Sequence, residues 1–151
     1  MKQSALAVSN FIFIEPMKAL SVPDLPVGRW LYEVKFDGYR ALAFKSGKET
    51  RLVSCNQKAF NYPELLDALK LVPAEHFVID GEIAALDPKG RSSFQLLQAY
   101  EIDKQRPLPV YYAFDLLSLE GADLRKQPLI ERRSMAAEAV GGFNGFPDVV
   151  V

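Results

Sequence analysis

The amino-acid sequence predicts an α+β fold, an antiparallel β-sheet with flanking helices. Short segments of alternating apolar and polar residues, typical of half-buried strands, are interrupted by segments with helical spacing of apolar residues. Their order is too irregular for a repeating βαβ unit, which favours α+β over α/β. At 151 residues the chain suits one domain. We expect residues 1–151 to comprise an extended arm (1–29) and a body of sheet and helices (30–151).

The first elements follow from alternation and turn residues. Prolines and the lack of a periodic apolar pattern predict an extended arm. In Trp30–Phe36 the apolar residues alternate, which predicts a half-buried strand with Glu33, Lys35 and Asp37 on its other face. Asp37-Gly38 is typical of a tight hairpin turn. We therefore expect a hairpin returning through Tyr39–Lys45, and after a further turn a third strand at Thr50–Ser54.

Later segments alternate between helices and strands. Helical spacing and first-turn prolines predict helices at Asn61–Leu71 and Pro128–Val140, the latter ended by Gly141-Gly142. A third, shorter helix is capped by Ser92 or Ser93 and runs to Tyr100. Strands are expected at His76–Leu86 and Pro109–Leu117. The first of these strands places an apolar face opposite two acids; that apolar face comprises Phe77, Ile79, Ile83 and Ala85, and the acids are Asp80 and Glu82.

Composition narrows the function classes. The chain is 49% hydrophobic and 25% charged, which is typical of folded globular proteins, and its net charge of −1 gives no global basic surface. Lys35–Arg51 nevertheless holds five cations and two acids, an excess that favours a nearby phosphate. Cys55 is the only cysteine, and no apolar run approaches the roughly 20 residues that cross a bilayer. We expect a cytoplasmic protein, since Ala5–Ile14 is a poor signal peptide.

The segment from Lys35 to Arg40 carries the chemistry. It reads KxDGxR, and a lysine amine attacks phosphorus only when unprotonated, which requires partial burial or nearby cations. Asp37 can orient the amine or help to hold a magnesium ion, and Arg40 can donate to a ribose hydroxyl or a phosphate. The alternative is an ordinary charged hairpin, in which Lys35 and Asp37 form only a weak surface pair.

Several motifs resemble the covalent nucleotidyltransferases, which include ATP-dependent DNA ligases, RNA ligases and capping enzymes. Beyond KxDGxR, the chain has the segments Phe13–Met17, Val78–Glu82 with DGE, and Tyr111–Leu117. Other segments are most similar to the ligases of bacterial non-homologous end joining, namely Gly90–Phe94 with Leu97-Gln98, and Gly121–Arg125 with Pro128-Leu129 and Glu131-Arg132. The resemblance covers about Phe11 to Arg133. It implies part of a nucleotidyltransferase (ATP-grasp-like) adenylation domain.

The resemblance also implies roles for individual residues. Lys35, with Asp37 as the second catalytic residue, would form a phosphoramidate with AMP from ATP, with Mg²⁺ neutralising the triphosphate. Glu33 would meet the adenine amino group, Arg40 and Glu82 would contact the ribose, and Phe114 would stack on adenine. Taken alone, Glu82 suits a solvated strand carboxylate and Phe114 a core aromatic. The implied partner is double-stranded DNA with a nick or break.

Two departures weaken the implied activity. The family's SRNG motif reads Ser54-Cys55-Asn56-Gln57 here, and a thiol cannot replace the arginine that serves a nucleic-acid phosphate. The candidates to substitute for it are Lys58 and Arg51, although lysine lacks the bidentate fork. No lysine follows Lys126, so we expect the metal-binding glutamate motif, the paired lysines and the oligonucleotide-binding barrel to be missing, with a weakened adenylation step.

Two function classes therefore stand open. The chain is either part of a ligase that seals DNA breaks through lysyl-AMP, or an inactive truncated remnant that binds nucleotide weakly or forms a homodimer through an exposed sheet edge. An RNA ligase or capping enzyme is a third class, disfavoured by the segments outside the shared motifs. A metal site is not expected at His76 or Cys55, because neither has ligand-type neighbours at a suitable spacing.

Overall fold

A computed structural model describes residues 11–105, 107–141 and 149–150. In chain order the elements are β1 (Tyr39–Ser46), β2 (Glu49–Ser54), β3 (Ala59–Phe60), α1 (Pro63–Leu71), β4 (His76–Ala85), α2 (Phe94–Asp103), β5 (Pro109–Leu119), β6 (Ala122–Asp123), α3 (Leu129–Gly141) and β7 (Val149–Val150). The strands form one seven-stranded sheet in the order β3-β2-β1-β4-β5-β6, and β7 also pairs with β5. All pairs are antiparallel except β5 with β7. The predicted α+β class is confirmed.

The three predicted helices are present, and the ends of α1 and α2 carry residues that favour a helix end. Pro63 lies in the first turn of α1, where its missing N–H costs nothing. The buried Lys45 ends the same helix, since its Nζ donates to the carbonyls of Lys70 at 2.9 Å and Val72 at 2.5 Å. Ser93 caps α2 by accepting from Leu96 N at 3.4 Å. None of the described helices has the length and apolar character to span a bilayer.

The main hydrophobic core lies between the helices and one face of the sheet. It includes Leu65 and Leu69 of α1, Leu97 and Tyr100 of α2, and Ala136 of α3. The predicted inward face of β4 is confirmed, since the core also includes Phe77, Ile79, Ile83 and Ala85. A smaller cluster covers part of the opposite face; it consists of Leu42, Phe44 and Leu117, packed against Phe11, Phe13 and Ile14 of the arm.

The β4–β5 pairing bends at Gly81. The register shifts between Val78 and Ile79 and again between Asp80 and Gly81. A Cβ at Gly81 would lie 2.4 Å from the Tyr112 carbonyl oxygen and 2.5 Å from the Tyr111 ring, so only glycine fits. The buried Tyr111 hydroxyl lies 2.9 Å from Ala41 O and 3.1 Å from Ile79 O, which ties three strands together beneath Asp80 and Glu82.

The predicted strand at Trp30–Phe36 is wrong. No strand is found between residues 11 and 38, so the irregular segment continues past residue 29 to Gly38. Trp30, Tyr32 and Val34 are 57%, 64% and 74% exposed rather than half-buried. Alternation indicates which residues suit a strand, but a strand also needs a neighbouring backbone, and none of the described residues pairs with this segment.

The predicted Asp37-Gly38 hairpin is wrong as well. A two-residue hairpin turn of the usual kind places both residues at positive φ, and neither Asp37 nor Gly38 has one. The chain bends there and enters β1, whose first residue Tyr39 pairs with Ile83 of β4. A Cβ at Gly38 would lie 2.0 Å from Ile83 O. Glycine is therefore required by close approach to β4 rather than by a turn.

Candidate nucleotide-binding site

A cavity of about 660 Å³ lies on the sheet face opposite the main core. Its floor is formed by side chains from three central strands, Arg40 of β1, Asp80 and Glu82 of β4, and Phe114 and Asp115 of β5. The irregular segment supplies the remaining walls through residues 17–20 and 33–36, and Leu129 of α3 closes one edge. The alternation of β4 thus places its two acids at the cavity, away from the core.

Five of the six residues singled out by the sequence line this cavity. They are Glu33, Lys35, Arg40, Glu82 and Phe114. The sixth, Asp37, does not line it. Its carboxylate accepts from Phe94 N at 3.0 Å, and its own N–H donates to the Ser92 hydroxyl at 2.9 Å. Asp37 therefore ties the end of the Lys35 segment to the start of α2, and a role in the chemistry remains a prediction.

Lys35 is exposed at the wall of the cavity rather than buried. Partial burial, one of the two ways expected to release its proton, is therefore not observed. Its positive charge favours the ionised form of Glu82, as the smallest of the influences on the pKa of that carboxyl. Lys18 and Arg40 are the other cations that line the cavity.

Arg40 is held by the most buried acid of the site. Its Nε and Nη2 donate to the two carboxylate oxygens of Asp80 at 3.1 and 2.7 Å, and Nη2 also donates to Met17 O at 2.7 Å. Among the described residues Nη1 has no hydrogen-bond partner. Burial raises the pKa of Asp80, and Arg40 opposes that shift. The guanidinium also lies 5.7 Å from the centre of the Phe114 ring, within the range of a cation–π contact.

Glu82 is not an ordinary solvated carboxylate, and Phe114 is not an ordinary core aromatic. Burial raises the pKa of the Glu82 carboxyl, although the Gly38 amide and Arg40 favour its ionised form. Glu82 is thus not a solvated strand carboxylate. Phe114 is half-buried and lines the cavity without belonging to either hydrophobic cluster, so its ring is available to a flat ligand.

Further residues of the site were missed by the sequence reasoning. Arg133 of α3 pairs with Glu33, and Tyr112 of β5 stacks on Phe36 with ring centres 3.9 Å apart. Together they hold the Lys35 segment against the body. Residues 17–20 line the cavity, but their segment has no periodicity that could have indicated this position. Arg132 pairs with the buried Asp115 behind the cavity.

The described part of the chain shows which side chains could hold a metal ion and where Cys55 lies. Within it, no group of three or more His, Cys, Asp or Glu side chains is placed to hold a metal ion. Cys55 is exposed and does not line the cavity.

Known proteins are similar to this chain in sequence and in fold. The multifunctional non-homologous end joining protein LigD of Pseudomonas aeruginosa is 38% identical over 89% of this chain and 16% of its own length. DNA ligase C1 of Mycolicibacterium smegmatis is 38% identical over 84% of this chain and 41% of its own length. The solved ligase domain of LigD from M. tuberculosis is 32% identical with a TM-score of 0.63, over 73% of this chain and 36% of that one.

The chain thus spans less than half the length of these relatives. The sequence profile of the ATP dependent DNA ligase domain matches residues 16–146, which include every residue that lines the cavity. The sheet, the helices and the motifs around Lys35, Glu82 and Phe114 agree with that match. The chain belongs to the ATP-dependent DNA ligase domain family.

Proposed function

We propose that this chain carries the nucleotide-binding face of a ligase adenylation domain and that Lys35 accepts AMP from ATP. The observation that carries the proposal is the convergence of Glu33, Lys35, Arg40, Glu82 and Phe114 on one cavity. These residues come from three strands and an irregular segment, so their meeting does not follow from sequence proximity. Aromatic, carboxylate and cationic groups match a base, a ribose and a phosphate chain.

The chemistry assigned to the site is a nucleotidyl transfer. The Lys35 Nζ attacks the α-phosphorus, the bond to the β-phosphate oxygen breaks, pyrophosphate leaves and the amine loses a proton. Phe114 stacks on adenine, Glu33 accepts from the adenine amino group, and Arg40 and Glu82 bind the ribose. A magnesium ion bound with the triphosphate would neutralise part of its negative charge. Asp37 contributes by fixing the backbone that follows Lys35.

In the whole protein the adenylate would pass to the 5′ phosphate of nicked or broken double-stranded DNA in the cytoplasm. A relative that is 38% identical is named for non-homologous end joining, which supports DNA as the polymer. A solved mycobacterial DNA ligase D, 33% identical with a TM-score of 0.59, is described as complexed with ATP, which supports the nucleotide.

Labelling with α-³²P-ATP and magnesium tests the proposal. Label should remain on the full chain after denaturing electrophoresis and should disappear in Lys35→Ala. Lys89→Ala is the matched control, because Lys89 is an exposed turn lysine away from the cavity. Equal labelling of the wild type and Lys35→Ala would contradict the assignment.

A second candidate function, an inactive nucleotide binder that forms a homodimer, is favoured by the exposed irregular segment. Ten of the thirteen exposed large hydrophobic side chains in the described residues lie between Ile12 and Val34. Surfaces of this kind often mark association sites. Sedimentation velocity over a concentration series should then show a dimer, and nucleotide binding without covalent label would favour this candidate over the enzyme.

A further inference from the structure

The cavity has an uneven distribution of charge. Of the four acids that line it, three are paired with arginines: Asp80 with Arg40, Asp115 with Arg132 and Glu33 with Arg133. Glu82 is the fourth acid. The two remaining cations of the lining are Lys35 and Lys18. A nucleotide triphosphate brings several negative charges, so its binding depends chiefly on these two ammonium groups and on any metal that accompanies it.

Lys18 is brought to the cavity by a specific backbone contact. Arg40, itself fixed by Asp80, donates to the carbonyl of Met17 at 2.7 Å, and that carbonyl belongs to the peptide group joining Met17 to Lys18. The irregular segment is thereby fastened to the sheet immediately before Lys18. Arg40 is the residue assigned to the ribose, so this contact fastens the chain beside the proposed ribose position directly before Lys18.

The existing partner of Lys18 is easily exchanged. Its Nζ lies 3.0 Å from Oε1 of Glu15, and the two side chains are 80% and 70% exposed. An exposed pair of this kind contributes little to stability because water screens it. A phosphate chain carries more negative charge than one carboxylate and offers more acceptor oxygens, so it competes well for the same ammonium group.

We propose that Lys18 is a binding residue for the phosphate chain of the nucleotide and acts beside Lys35. In the absence of nucleotide Lys18 is paired with Glu15. The inference rests on the proposed function, which assigns the base and ribose ends of the cavity. It adds a residue outside the KxDGxR, DGE and Phe114 motifs. It also implies that substitutions at Glu15 and Lys18 change ATP affinity in opposite directions, since Glu15 competes with the ligand for the Lys18 ammonium group.

Calorimetric titration of the full chain with ATP, AMP and adenosine, without magnesium so that no transfer occurs, tests this assignment. Lys18→Gln should weaken ATP binding by roughly three- to tenfold, the range of one hydrogen bond that water partly screens, and leave adenosine binding unchanged. Glu15→Gln should strengthen ATP binding, and Lys18→Arg should retain it. Lys89→Gln, which removes an exposed lysine away from the cavity, should change none of the three affinities.

The outcomes separate the inference from the proposed function. Wild-type chain that binds neither ATP nor adenosine would overturn the proposed function and the inference with it. Wild-type binding with unchanged ATP affinity in Lys18→Gln would overturn the inference alone. Equal losses for ATP and adenosine in Lys18→Gln would show that Lys18 only supports the fold, which also overturns it. Stronger ATP binding in Glu15→Gln cannot result from unfolding.

Discussion

At the residue scale, Asp37 links the Lys35 segment to helix α2. Its N–H donates to the Ser92 hydroxyl and its carboxylate accepts from Phe94 N. A carboxylate at the first amides of a helix is favoured by the helix dipole as well as by the hydrogen bond. The geometry therefore favours a role in positioning the lysine over a role as a metal ligand.

The two roles of Asp37 differ in their response to substitution. Asp37→Asn keeps an oxygen acceptor for Phe94 N and should retain most of the labelling with α-³²P-ATP, whereas Asp37→Ala should slow it and cost about 1 kcal/mol of stability. Ser92→Ala should show a smaller loss of the same kind. Labelling rates are measured over a magnesium series, together with urea denaturation. A large increase in the magnesium requirement of Asp37→Asn would instead indicate a metal ligand.

Glu82 gives the site a pH dependence. Burial raises the pKa of this carboxyl above its ordinary value of 4.5, so the folded state holds the proton more tightly than the unfolded state. Between the ordinary and the raised pKa the folded chain binds more protons, and the free energy of unfolding therefore falls as pH rises through that window. At neutral pH the ionised Glu82 carboxylate therefore lowers the free energy of unfolding, and the same carboxylate is the group proposed to bind the ribose.

Glu82→Gln should remove this part of the pH dependence. The variant should gain stability relative to wild type as pH is raised from about 4 to about 7. Its affinity for adenosine should decrease, because the amide keeps only one acceptor oxygen and lacks the charge that strengthens a hydrogen bond from a ribose hydroxyl. Urea denaturation at several pH values and calorimetric titration measure the two effects. A stability difference that does not change with pH would show that burial does not perturb this carboxyl.

At the element scale, α3 is fastened to β5 by a buried ion pair. Arg132 Nε and Nη2 lie 2.7 and 2.8 Å from the two carboxylate oxygens of Asp115, and Nη1 donates to Gln127 O at 2.5 Å. Arg133, the next residue, reaches Glu33 on the Lys35 segment. The placement of α3 thus affects both the strand that carries Phe114 and the segment that carries Lys35.

Arg132→Gln should destabilise the fold by about 3–5 kcal/mol, because the buried Asp115 loses its cation. The matched control is Arg125→Gln, whose ion pair with Asp123 is about half exposed, and it should cost much less stability because water screens the pair. Urea denaturation followed by circular dichroism measures both variants. Similar losses in the two would mean that the Asp115 pair contributes no more than a surface pair.

Apolar periodicity and end-capping residues predicted α1, α2, α3, β4 and β5 to within three residues at each end, because periodicity records which side of an element faces the core. It could not predict pairing. Trp30–Phe36 alternates as β4 does, yet only β4 has strands on both sides, β1 and β5. Pairing depends on which distant segment lies alongside, and nothing in a local pattern records that.

At the scale of the whole molecule, the site is made by an irregular segment lying over a sheet. Phe11, Phe13 and Ile14 cover the small apolar cluster of Leu42, Phe44 and Leu117, and the chain then continues along the cavity. The site residues on strands were predictable because motif spacing fixed their identity. Lys18 and Arg133 were not, since the path of residues 17–36 is set by contacts such as Arg40 with Met17 and Phe36 with Tyr112.

The central claim is that the Lys35 amine becomes bonded to AMP. Peptide mapping by mass spectrometry, after incubation of the full chain with ATP and magnesium, locates that bond directly. The adenylate is predicted on the peptide that contains Lys35 and on no other lysine, with Lys35→Ala unmodified. Adenylate on a different residue, or on Lys35→Ala to the same extent, would contradict the account.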